Sequence, residues 1–282
     1  MKKISITTIV LVIIGALLIL YAFKRTDKSN ELMNYIKNNT IEVKDAKLDE
    51  KNNDKLVLVN GIISSSEELT DTDFGIKVKT SKLKRKVEMY QWDICDDSEE
   101  EKEECEYKKV WSEKIIDSKD FKENYKNPTE MPYESKVFYS TKSKLGEYTL
   151  NELVLNKLKY NETVSNEQIT SQLNYIEGYD VSENYITSYE SGKYVKIGDI
   201  RISYEYASDK EITVLATQKN DTFKEFRAND KKYIYVYEKE YEKEDILDDV
   251  KRSNNFSKIF FIILGVIAIL IGINASRNKK EV

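Results

Sequence analysis

The chain contains no histidine. That removes Ser-His-Asp and Cys-His nucleophilic catalysis, together with the commonest ligand of zinc. Only nine glycines and two prolines occur in 282 residues. No glycine-rich loop stands ready to cradle a phosphate, and no low-complexity linker or internal repeat divides the chain. Lysine, asparagine, isoleucine and tyrosine are abundant instead. An AT-rich genome encodes that bias by itself, so it says little about function.

What is present is a pair of apolar stretches at the two ends. Ile4 to Phe23 carries no charge over twenty residues, and Ile259 to Ile273 carries none over fifteen. A membrane helix needs about 20 mainly apolar residues. The first stretch meets this directly. The second meets it once Phe256 and Asn274-Ala275 extend it and Lys258 snorkels to the interface. A cleaved signal peptide is the alternative for the first, because Met1-Lys2-Lys3 precedes an apolar run. The exit Leu20-Tyr21-Ala22-Phe23-Lys24 lacks the small-residue cleavage pattern, which favours a retained anchor. A buried core helix is the alternative for the second, but those fifteen residues show no polar face.

Orientation follows from positive charge near the ends. Lys2 and Lys3 lie at one end, and Arg277, Lys279 and Lys280 at the other. Lys24, Arg25, Lys251 and Arg252 on the inner flanks weaken the bias. The expected arrangement is a cell-membrane protein with both termini cytoplasmic. It comprises a helix over 1–23, an extracytoplasmic domain over 24–257, a helix over 258–276 and a basic tail over 277–282. The 24–257 segment holds 39 basic against 49 acidic side chains, a net charge of −10. Such a surface excludes nucleic acid as a partner and argues against lying flat on anionic lipid.

The pattern inside that segment predicts an α+β domain with a mostly antiparallel sheet between the two transmembrane helices. Residues 27–38 read as a helix leaving the membrane, with Leu32, Tyr35 and Ile36 on one face. Leu56 to Val59 reads as a strand ended by the turn dipeptide Asn60-Gly61. Glu67 to Asp73 reads as a loop. Val87 to Cys95 and Cys105 to Lys114 read as a hairpin flanking an acidic tip. Thr149 is placed as the cap of a helix through Leu158, and Ser165 as the start of another. Strands return at 185–189, 200–206, 212–217 and 233–237. The last puts three tyrosines on one face. Tyr241 to Ser257 is helix-permissive and joins the second span.

Few residues suggest chemistry. Ser81-x-x-Lys84 resembles a serine nucleophile with a lysine base, but it sits in a basic stretch that reads as solvated. Cys95 and Cys105 face each other if the hairpin is symmetric. A disulfide between them would stabilise by about 2 to 3 kcal/mol and persist outside the cytoplasm; two free buried thiols are the alternative. The acidic run 96–104 lacks the spacing and turn glycine of a calcium loop, and reads as a solvated tip. Trp92, Trp111 and the tyrosine stripe read first as core packing. Ala268 and Gly272 give a small-xxx-small spacing suited to helix contact. No metal or cofactor site is expected.

Several stretches together resemble the LUMA, or transmembrane protein 43, family. They are Asn60-Gly61; Val87-Glu88-Met89-Tyr90-Gln91-Trp92 after Leu83-Lys-Arg-Lys86; Asn127-Pro128; Gly198-Asp199-Ile-Arg201 within 197–204; Val214 to Gln218; and Arg252-Ser-Asn254. The likeness covers about residues 50 to 260. It implies an amino-terminal membrane helix, a large extracytoplasmic or lumenal domain and carboxyl-terminal membrane helices. It also implies a role in organising membrane-protein complexes, those of lamins and emerin in eukaryotic members, with no enzymatic activity or cofactor. The single carboxyl-terminal span departs from the several of those members and puts any lamin-type partner in doubt. No residue carries over as catalytic. The motif residues are expected to be structural, since 87–92 alternates like a buried strand.

These readings converge on a two-pass membrane protein that organises membrane proteins, self-association included, with the lipid bilayer as its other partner. The rivals are a sensor for an envelope ligand, which a tyrosine-lined pocket would favour, and a hydrolase using Ser81 and Lys84.

Overall fold

A computed structural model describes residues 6–95, 106–190 and 192–278. The amino-terminal part runs α1 (Ile6–Asn39), β1 (Ile41–Val43) and β2 (Leu56–Ser65). There follow β3 (Glu68–Asp71), β4 (Ile76–Lys79), β5 (Lys82–Ile94), β6 (Tyr107–Ser112), β7 (Lys136–Tyr139), β8 (Ser143–Leu145) and β9 (Tyr148–Thr149). Next come α2 (Glu152–Leu155), β10 (Glu162–Thr163), α3 (Asn166–Gln172), β11 (Asp180–Ser182), β12 (Tyr185–Thr187) and β13 (Ile200–Ala207). The chain closes with β14 (Glu211–Lys219), β15 (Thr222–Lys224), β16 (Phe226–Ala228), β17 (Lys231–Tyr233), β18 (Tyr235–Tyr237) and α4 (Lys243–Asn278). Two compact units result, divided at Gly61–Ile62 and at Glu211–Ile212.

The first unit contains both apolar helices, each long and apolar enough to cross a membrane. No glycine or proline interrupts 24–39, so the juxtamembrane helix and the first span form one helix of 34 residues. The charged segment before the second span likewise joins it in a 36-residue helix. The two helices pack antiparallel, which brings residues 6 and 278 to the same end. Buried Thr8, Gly15 and Ala22 recur every seven residues on α1, and buried Gly265 and Gly272 do so on α4. That repeat is the seam of a left-handed helix pair. A Cβ on Gly15 would meet Gly265 O at 2.5 Å, and one on Gly265 would meet Gly15 O at 2.7 Å. The close spacing is therefore Gly265 to Gly272. Ala268, expected to share the contact, is half-buried beside it.

Past the apolar run, both helices enter a water-side core. Leu32 and Ile36 of α1 and Ile246 of α4 pack with Leu56, Leu58, Leu215 and Phe226. The sheet beneath has β14 between β15 and β2, with β18 also paired to β14 and β1 parallel to β2. Residues 212–218 of β14 are all buried, as in a strand covered on both faces. The expected turn at Asn60-Gly61 does not form. β2 runs straight through it, and neither residue takes the positive φ that a two-residue hairpin turn needs. Asn60 Nδ2 instead donates to Tyr241 O at 3.1 Å.

The second unit is built on a sheet in the order β11-β12-β13-β5-β6, with β7 also on β5 and β10 on β13. β5 pairs antiparallel with β6 from Met89↔Ser112 to Ile94↔Tyr107, which is the expected hairpin. Its core gathers Leu83, Val87 and Met89 of β5 with Ile200, Ile202 and Tyr204 of β13, beneath Phe74 and Ile169. The expected loop over 67–73 is largely the strand β3, paired with β4. Asp71 Oδ1 accepts the Asp73 N–H at 3.2 Å, and Gly75 at φ +79 closes the turn between the strands. Thr149 ends β9 rather than capping a helix, and α2 is a single turn. Ser165 does cap α3, in a box with Gln168. The described fold is thus α+β, mostly antiparallel, with apolar helices at both ends.

Candidate functional site

The motif residues of β5 sit at the centre of the second unit's sheet. Val87 and Met89 are core, while Glu88, Tyr90 and Trp92 alternate to the other face. Gln91 is fully buried and satisfied at both ends: Nε2 donates to Lys114 O, and Oε1 accepts the Ile116 N–H, both at 2.9 Å. Asn127 mimics a neighbouring strand. Its Oδ1 accepts the Trp92 N–H at 2.7 Å, and its Nδ2 donates to Trp92 O at 2.9 Å. Tyr90 exchanges backbone hydrogen bonds with Gly198 and Asp199 at 2.9 and 2.8 Å. Asp199 Oδ2 accepts the Lys196 N–H. Across the outer face, Arg201 Nε donates to Glu88 Oε2 at 2.9 Å, and its guanidinium lies over Trp111 and Tyr185. These partners spend the motif's polar groups on holding strands and loops together.

Gly198 has a specific requirement. Its φ is +95, and a Cβ there would lie 3.1 Å from Pro128 Cγ. Gly198→Ala is expected to cost about 2 kcal/mol through backbone strain. Denaturant unfolding of the full chain, followed by tryptophan fluorescence, checks it; both tryptophans lie on β5 and β6.

Ser81 and Lys84 do not form a catalytic pair. Ser81 lies in the bend before β5, and Lys84 lies on the strand itself. Ser81 is buried and its Oγ accepts from Ser143 Oγ at 2.7 Å, while Lys84 pairs with Glu113 at 3.0 Å. The stretch is also not solvated: Lys82 and Arg85 are buried. Lys82 Nζ donates to Asn156 O and Leu158 O at the end of α2. Arg85 makes the main buried ion network, which sequence reasoning missed. Its Nη1 lies 3.0 and 2.9 Å from the two oxygens of Asp71 and 2.6 Å from Asp73 Oδ2. Burial, then the Asp71 charge, pushes the Tyr204 hydroxyl well above its ordinary range, so it keeps its proton and donates to Asp71 Oδ2 at 2.7 Å.

Cys95 follows β5, its N–H donating to Glu106 O at 3.2 Å, and it is disulfide-bonded. Cys105 and the acidic run 96–104 lie outside the described residues. Among the described residues no cluster of carboxylates or cysteines is arranged to hold a metal ion.

One concave feature with converging polar groups belongs to the first unit; another, of about 820 Å³, lies in the second unit between Tyr175 and Asp199. A cleft of about 1010 Å³ opens where α1 and α4 leave their apolar segments. One wall is the tyrosine stripe. Tyr233, Tyr235 and Tyr237 stack in sequence at 6.2 and 6.3 Å, and Tyr241 follows at 4.2 Å. The period-two alternation of the chain puts all three on one side, where they pack on the core and also line the cleft. Burial, then Tyr233, holds the Tyr235 hydroxyl up to about 12, and burial followed by Asp249 raises that of Tyr237. Both are neutral donors at any physiological pH. Lys24, Arg25 and Lys28 of α1, Lys231, and Arg252 of α4 supply positive charge, and Asp249 is the acid facing them.

Residues 89–278 match the family described as Transmembrane protein 43. Transmembrane protein 43 of Homo sapiens is 26% identical over 246 residues, covering 79% of this chain and 60% of the human protein. That of Rattus norvegicus is 25% identical with the same coverage. The Transmembrane protein 43 homolog of Drosophila melanogaster is 31% identical over 108 residues, 34% of this chain and 29% of its own. The chain thus spans about 60% of the length of the mammalian relatives. No solved structure matches it.

Proposed function

The chain belongs to the Transmembrane protein 43 family, and from that premise we propose that it is a non-catalytic organiser of membrane proteins. It is a membrane protein with two apolar helices. The observation that carries the reading is continuity: Leu32 and Ile36 on α1 and Ile246 on α4 extend the two spans without a break into one water-side core. A sheet fixed in this way meets only partners near the same bilayer, which raises their effective concentration. On this reading both termini are cytoplasmic and the β-rich units extracytoplasmic. The terminal lysines and arginines support that orientation, as does a disulfide-bonded Cys95.

The test is photocrosslinking in native membranes from Leu17 and Leu270, both on outward faces of the helix pair. Reproducible adducts to defined membrane proteins, or to a second copy, are the expected result. Adducts to lipid alone from both positions would overturn the reading. A second reading, sensing of an envelope ligand, is favoured by the tyrosine-lined cleft.

A further inference from the structure

We propose that the cleft of the first unit holds the phosphate-bearing headgroup of an anionic phospholipid drawn from the adjoining leaflet. This goes beyond the organiser reading and names the ligand class for the sensing reading, on which it rests.

Charge is the first argument. Lys24, Arg25, Lys28, Lys231 and Arg252 line the cleft against one acid, in a segment whose overall charge is −10. That acid, Asp249, is already engaged by Tyr241 Oη at 3.3 Å and Arg252 at 3.5 Å. Among the described residues, Lys24, Arg25, Lys28 and Lys231 form no ion pair. Five cations against one acid leave a surplus of positive charge, and a cleft lined mainly by one sign of charge attracts the opposite ion.

Position is the second. The apolar run of α1 ends at Phe23, and Lys24 to Lys28 stand about 1.5 to 7.5 Å along the helix beyond it. The headgroup layer adds about 5 to 7 Å on each side of the hydrocarbon. The cations therefore stand at the depth of lipid phosphates. Tyr21 and Phe256 line the cleft on its membrane side, where a glycerol backbone and the first acyl carbons would lie. A soluble phosphate ester makes no use of those rings.

Asn254 lies in the Arg252-Ser-Asn254 motif. It is 7% exposed, lines the cleft, and its Oδ1 is buried without a hydrogen-bond partner. An orphaned buried acceptor is costly. A headgroup hydroxyl, as in phosphatidylglycerol, would satisfy it once the side chain turns toward the cleft that Asn254 lines.

The experiment uses the full chain in phosphatidylcholine nanodiscs with spin-labelled phosphatidylglycerol or spin-labelled phosphatidylcholine as probe. The wild type is expected to immobilise the anionic probe about tenfold more strongly than the zwitterionic one. The triple substitution Lys28→Gln, Lys231→Gln, Arg252→Gln is expected to bring the ratio near unity. Lys77→Gln with Lys79→Gln, in the other unit, leaves it unchanged, and circular dichroism verifies that each variant folds. A triple variant that keeps the wild-type ratio overturns the proposal. Displacement of the lipid by equimolar glycerol 1-phosphate overturns the lipid source but leaves ligand sensing standing. No selectivity and no binding of either compound removes both.

Discussion

Arg85→Ala is expected to destabilise the second unit by about 3 to 5 kcal/mol. Asp71 is 1% exposed, and its carboxylate is held by Arg85 Nη1 on both oxygens, by the Tyr204 hydroxyl and by the Asp73 N–H. Arg85 is itself 4% exposed, with Nε donating to Glu134 O at 3.0 Å. Taking away the guanidinium leaves a buried anion with two neutral donors, which does not repay its lost hydration. The cost is that of an uncompensated charge rather than the net worth of the pair. The double variant Asp71→Leu with Arg85→Met should therefore lose less than Arg85→Ala alone. Denaturant unfolding of the detergent-solubilised chain reads this directly, because Trp92 and Trp111 both report on the second unit. Equal loss in the single and the double variant would show that packing, not charge, sets the cost.

That network also shows where sequence reading stopped. In Lys82 to Lys86, period-two alternation sends Lys84 and Lys86 outward to Glu113 and Glu88, and Arg85 inward with Leu83 and Val87. The charges hid the alternation, since a buried arginine is legible only when its partner is known, and Asp71 lies fourteen positions away in a segment that read as a loop. The apolar helices, the β5–β6 hairpin and the short helix starting at Ser165 were legible because each depends on local pattern alone. Asn60-Gly61 misled for the opposite reason: a strong turn dipeptide was overruled by pairing along β2 and by the distant Tyr241 carbonyl. The division into two units leaves no trace in composition, because one crossing runs inside β2 and the other at the head of β14. The tyrosine stripe was legible as a shared face. That it borders a cleft was not, since the cations completing it come from positions 24–28, 231 and 252, which only folding brings together.

Gly265→Leu is expected to break the close contact of the two spans. A Cβ at this position would lie 2.7 Å from Gly15 O and 2.8 Å from Ile19 Cγ1. A backbone oxygen inside a helix cannot step aside, so the helices themselves must separate. Without a hydrophobic drive between helices in lipid, close packing is a main source of their attraction, and separation forfeits it along the whole seam from Thr8 to Ala22. The cost is about 3 kcal/mol, at the upper end of ordinary overpacking. Tyr21 and Phe261 meet edge to face at 5.0 Å across the pair, and among the described residues no free cysteine competes. Cysteines placed at both positions should crosslink readily in membranes of the otherwise wild-type chain. With Gly265→Leu added, the yield should fall about tenfold or more. Ala268→Leu, half-buried and off the seven-residue seam, should leave it nearly intact. Strong crosslinking in the Gly265→Leu chain would mean that the spans are not held by glycine-to-glycine backbone contact. The rigid passage from span to core through Leu32, Ile36 and Ile246, on which the organiser reading depends, would then lose its foundation.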